Sequence, residues 1–120
     1  MRKTVMIKRR YEFKRLFSKG KFFLGKSINM YLIENKKDYN KLAVAVSKKQ
    51  GKAVVRNRFK RLIKENYREL EKNLKVGYNM LFIVNRAKML DTKQIDYYDI
   101  KEDMVKIFQN CGIWNEENID

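Results

Sequence analysis

The stretch from about Lys52 to Leu74 restricts the fold more than any other, because its side chains sort into three sectors at the roughly 100° per residue of an α-helix. Phe59, Leu62, Ile63, Tyr67 and Leu70 form an apolar stripe. Arg56, Asn57, Lys60, Arg61, Lys64 and Arg68 share one sector beside it, and Arg58 falls with Glu65 and Glu69 on the remaining side. Such a helix lays its stripe on a partner surface and keeps its cations outward. Tyr78 to Asn85 (YNMLFIVN) is the candidate for that surface: its apolar run exceeds simple alternation, as in a strand buried on both faces.

The remaining elements follow from the same periodicities. Phe13, Leu16 and Phe17 stand at i, i+3 and i+4 in residues 10 to 19, a short helix for which Gly20 is the natural C′ residue in left-handed conformation. From Lys21 to Glu34 the pattern is extended and broken near Gly25. After the polar turn NKKDYN, Leu42, Val44 and Val46 alternate with Ala43, Ala45 and Ser47, and the two alanines leave room on one face for close packing. Asp96 with Asp99 three residues on reads as a capping box. Tyr97, Ile100, Met104, Ile107, Phe108 and Cys111 continue a helical stripe to Gly112, with Cys111 in the core and Trp114 capping the helix. The order α-β-β-β-α-β-α is that of a two-layer α+β sandwich, one domain over residues 1–120. Residues 1–9 are expected to be a flexible basic arm, and 113–120 a flexible acidic tail.

Charge narrows the function. The chain carries 29 Lys and Arg against 14 Asp and Glu, a formal net charge of +15. Ten basic residues and one acid lie between residues 1 and 26, and nine and one between 48 and 68. The proportions reverse to three and eight between 89 and 120. Segregation of this kind predicts one basic face for a polyanion, with the C-terminal segment turned away. Arg56, Lys60 and Lys64 have like-charged i+4 neighbours, which cost helix stability and so point to a ligand rather than to a solvated face. With no histidine and a single cysteine, Cys/His zinc sites, histidine-based triads and nucleases, and an intrachain disulfide are excluded. No apolar run approaches the about 20 residues of a membrane span, and Met1 to Arg10 lacks a signal-peptide pattern, so a cytoplasmic protein without membrane partner is expected. On the residues alone two classes stay open: a structural RNA-binding protein, and a Mg²⁺ nuclease built on Asp91, Asp96 and Asp99. The last is disfavoured by its place in the acidic segment.

The stretch from Ala45 to Arg68 (AVSKKQGKAVVRNRFKRLIKENYR) resembles the signature of the bacterial ribonuclease P protein component: a strand ending in Ser-Lys-Lys, a short loop, and a helix opening Ala-Val-x-Arg-Asn-Arg. Glu12-Phe13, Phe17 with Gly20, and a strand carrying Tyr31 extend the resemblance over essentially the whole chain. It implies a ribosomal-protein-S5-domain-2-like fold with a left-handed β-α-β crossover, against the usual right-handed rule. It also implies an accessory protein, not catalytic alone, of a ribonucleoprotein endoribonuclease. The RNA subunit and its Mg²⁺ ions would remove the 5′ leader of precursor tRNA, the partners being that RNA and the precursor rather than DNA. Carried over by position, Arg56, Asn57, Arg58, Lys60, Arg61 and Lys64 would contact the catalytic RNA, and Phe13, Phe17 and Tyr31 the single-stranded leader. Arg68 extends the same basic sector. Lys48, Lys49 and Lys52 surround the helix start, where a phosphate would be favoured.

Overall fold

The structure, a computed structural model, describes residues 3–85 and 95–115. Its elements are β1 (Thr4–Met6), α1 (Arg10–Lys19), β2 (Lys21–Leu24), β3 (Ile28–Glu34), β4 (Asn40–Ala45), α2 (Ala53–Leu70), β5 (Tyr78–Val84) and α3 (Tyr97–Cys111). The strands form one sheet in the order β1-β4-β5-β3-β2. β5 runs parallel to β4 and antiparallel to β3, and α2 is the crossover between β4 and β5. The apolar run YNMLFIV is thus the central strand.

α2 and α3 cover one face of the sheet. Ile28, Met30, Leu42, Met80 and Phe82 point into that layer and meet Phe59, Ile63, Tyr67, Ile100, Met104 and Phe108, all essentially without solvent contact. The ring of Phe108 lies edge-on to Phe82 at 5.9 Å and to Tyr67 at 6.4 Å, with Trp114 stacked beyond it. Each large side chain so buried contributes about 1.5–3 kcal/mol, which makes this layer the main core. α1 lies on the opposite face, where Leu16 meets Ala43 and Leu81. Ala43, at the middle of β4, is what lets the helix approach the sheet.

The expected order of elements is present, with β1 added in front. Thr4–Met6 was expected in a flexible arm. Instead it pairs in parallel with Asn40–Leu42, Ile7 is buried, and Thr4 Oγ1 shares a 2.6 Å hydrogen bond with Tyr67 Oη. Burial pushes the Tyr67 phenol up to about 12. The short apolar run Val5-Met6-Ile7 is masked in the sequence by flanking Lys and Arg. Gly20 is corrected too: its backbone is extended, at φ −71° and ψ 153°, not left-handed. Glycine is needed there because a Cβ would collide with the Leu16 carbonyl oxygen. At the other end Ile113 is buried and Trp114 bridges to Leu74, so those residues belong to the body, whereas 116–120 lie outside the described residues.

Candidate RNA interface

Strand register builds the open face row by row. Phe22, Tyr31, Leu81 and Ala43 form one transverse row across β2, β3, β5 and β4, and Leu24, Asn29, Ile83 and Ala45 form the next. A third row, Ile33, Asn79 and Lys41, lies on the other side. Leu16 of α1 packs on the middle row, and Glu12 reaches the third, where its carboxylate pairs with Lys41 Nζ. Burial alone would raise the Glu12 pKa, but the Lys41 ammonium, a hydrogen bond donated by the Arg9 backbone N–H and the Arg9 charge hold it below the usual carboxylate value. In the second row Leu24 and Ala45 are exposed, Ile83 is half-buried against the cluster under α1, and Asn29 is buried. This row forms the floor of a groove along α1.

Aromatic rings line the groove. Tyr31 stands between two phenylalanines, with Phe17 of α1 5.0 Å away at 69° and Phe22 of β2 5.0 Å away at 59°. Phe17 is 53% exposed, Phe22 47% and Leu24 61%, while Phe13 is half-buried against Leu16, Ala43 and Leu81. Apolar surface left open beside a core marks a binding surface more often than a packing fault. At the Ala45 end the chain leaves β4, passes through Lys48 and Lys49, and enters α2 at Lys52. The groove floor therefore runs out toward the basic helix.

The start of α2 is electropositive. Lys52 is its N-cap without a side-chain capping bond, and the first turn carries no acid, so exposed N–H groups, the helix dipole and nearby cations add in one place. Ser47 accepts a 3.2 Å bond from the Lys49 N–H and shapes the approach. Arg56 folds back to donate from Nε to the Gly51 carbonyl at 3.2 Å. Asn57, Arg61 and Arg68 are exposed, and Lys60 and Lys64 half-exposed. Arg61 meets Glu65 at 3.9 Å across the sector boundary, a surface pair of little strength. Arg58 shares its sector with Glu65 and Glu69. Glu69 accepts the Tyr97 hydroxyl and lies 3.7 Å from Lys101, so that flank turns toward α3.

A ribonuclease P family model matches residues 1–112. The chain belongs to the ribonuclease P protein family. It is 38% identical over 110 residues to the ribonuclease P protein component of a Clostridium botulinum strain, covering 91% of this chain and 96% of the relative. Against that of a Thermoanaerobacter strain it is 37% identical over 113 residues, 94% of each. Among solved structures, the Staphylococcus aureus RNase P protein superposes with a TM-score of 0.78 at 26% identity, over 92% of this chain and 97% of that one. The Thermotoga maritima protein, at 23% identity, shares the fold with a TM-score of 0.80 over 88% and 96%.

Within this family member the structure brings Phe17 and Tyr31 into direct contact and sets Phe13 deeper, so the expected trio is two groove residues and one that also supports α1. Phe22 and Leu24 were not foreseen. Alternation along Lys21–Leu24 puts both on one face, but only the pairing of Phe22 with Tyr31 shows that this face is the open one. The carboxylates of the rival nuclease reading are engaged elsewhere: Asp96 Oδ1 accepts the Asp99 N–H at 2.9 Å and Asp99 Oδ2 the Asp96 N–H at 3.0 Å. Asp91 lies outside the described residues. Among the described residues no three Asp, Glu, Cys or His side chains gather as a metal site, and no helix is long and apolar enough to cross a membrane.

Proposed function

We propose that this chain is the RNA-binding protein subunit of a ribonuclease P holoenzyme that removes the 5′ leader of precursor tRNA. The observation that carries the reading is one continuous path: an aromatic groove at Phe17, Tyr31 and Phe22 whose floor leads to the uncapped, cationic start of α2. Single strands bind such grooves by stacking, at about 1–3 kcal/mol per base. Arg and Lys on α2, with Lys48, Lys49 and Lys52, neutralise phosphates of the catalytic RNA and lower its repulsion toward the substrate. In this reading hydrolysis belongs to the RNA and to Mg²⁺ held by RNA and substrate, and the complex works in the cytoplasm.

The test is precursor cleavage at low Mg²⁺ by protein alone, ribonuclease P RNA alone, both, and neither. Efficient cleavage at the mature 5′ end by the combination alone supports the reading. No effect of the protein on the RNA would make it a general RNA binder, and cleavage by the protein alone would reinstate a carboxylate site. A second arm reverses Arg56 and Lys60 to Glu. Affinity for the catalytic RNA should fall, and the log–log salt slope should shrink by about 0.7–0.9 per lost phosphate contact. An unchanged slope would remove α2 from the interface.

A further inference from the structure

The turn that joins β2 to β3 is held from outside by a buried carboxylate. Asp103, on the sheet-facing side of α3 and 4% exposed, accepts three successive backbone N–H groups: Lys26 on Oδ1 at 3.0 Å, Ser27 on Oδ2, and Ile28 on Oδ2 at 3.0 Å. Two amides complete the clamp. Asn29 Oδ1 accepts the Gly25 N–H at 3.1 Å, Asn85 Nδ2 donates to the Gly25 carbonyl at 2.7 Å, and the Asn85 N–H donates to the Ser27 carbonyl at 2.9 Å. Gly25 lies so close that a Cβ there would collide with the Ile28 carbonyl oxygen and stand 3.0 Å from Asp103 Oδ2.

Burying a carboxylate is expensive, and none of the ion pairs among the described residues involves Asp103. What it acquires is position. β2 is a four-residue edge strand with one strand neighbour, and it carries Phe22 and Leu24 on the open face. Such a strand is tethered weakly by its own ladder, so its angle to β3 depends on the turn at its end. We propose that Asp103 is a positioning residue of the groove: by fixing the Gly25–Ile28 turn from the opposite layer, it holds Phe22 against Tyr31 as the outer wall that a leader base stacks on. The inference rests on the groove being the leader site.

The experiment measures holoenzyme affinity for a leader-bearing precursor and for mature tRNA, with Asp103→Asn, Phe22→Ala and the double variant. The amide of Asp103→Asn keeps one acceptor oxygen and turns an N–H donor toward the remaining N–H groups, which loosens the turn. Precursor affinity should drop about fivefold to tenfold, the scale of one weakened stack. Mature tRNA binding and catalytic-RNA binding should stay unchanged, and Asp103→Asn should add no further loss on top of Phe22→Ala. Additive losses, or equal losses on precursor and mature tRNA, would reduce Asp103 to a stabilising role and overturn the proposal. Gly25→Ala presses on the same turn from the other side and should give the same leader-specific loss; it decides the matter if Asp103→Asn fails to fold. If Phe22→Ala and Phe17→Ala both leave precursor affinity intact, the leader-groove reading itself falls. If they reduce it while Asp103→Asn and Gly25→Ala do not, only the role of Asp103 falls.

Discussion

The two faces of one sheet use the same strands in opposite ways. Met30, Met80 and Phe82 alternate with Tyr31, Leu81 and Ile83 along β3 and β5, yet the first set disappears under two helices while the second meets a single ten-residue helix and leaves a groove. The first face holds the larger core. The other keeps a smaller one under α1, of Ile7, Leu16, Ala43 and Leu81, and the aromatic surface beside it can be spent on a ligand.

Substitutions on the two faces should therefore separate stability from binding. Phe82→Ala, on the covered face, should cost about 3–5 kcal/mol in a denaturant melt, because the cavity opens beneath Phe108. A loss under about 1 kcal/mol would mean that this layer is not the core. Phe17→Ala, on the open face, should leave stability within about 1 kcal/mol and weaken precursor binding by about 1–3 kcal/mol, with mature tRNA unaffected. Equal losses on both RNAs would return Phe17 to packing. Ala45→Leu raises the groove floor without touching the core. Its precursor affinity should fall by less than that of Phe17→Ala with an unaltered melting temperature, and an unchanged affinity would show that the leader avoids this row.

The smallest effect appears only in acid. The Glu12 pKa lies below the ordinary value of 4.5 when α1 is docked, so its contribution is present above that value and is lost as pH falls through the lowered one. Acid titration of stability should show this loss in the parent chain and not in Glu12→Gln. Parallel curves would mean that the Glu12 to Lys41 pair does not hold α1 to β4.

Much of this was legible because local signals agreed with the global fold. YNMLFIV is apolar on both faces and is central; Asp96 and Asp99 are spaced as a capping box and form one; the stripe of α2 is buried with Asn66 added. The side of the sheet that α1 takes was not legible, since Phe13, Leu16 and Phe17 mark a buried stripe without saying what it meets. β1 was hidden by charge. Asp103 did leave a trace, an acid beside Ile100, Met104 and Ile107 on a buried face, but its partners lie 75 to 77 residues away and no local pattern names them. Phe22 depended in the same way on strand register.

The insertion of β5 between β3 and β4 also sets a timetable. Those two strands follow one another in sequence yet do not pair; each waits for residues 78–84, the last strand among the described residues. During synthesis the chain exposes two unsatisfied strand edges and all of its basic helix before any closed sheet exists. Native contacts between distant segments then arrive almost together, so folding is expected to be slow for so small a domain and to be timed by the emergence of β5 and then α3 from the ribosome.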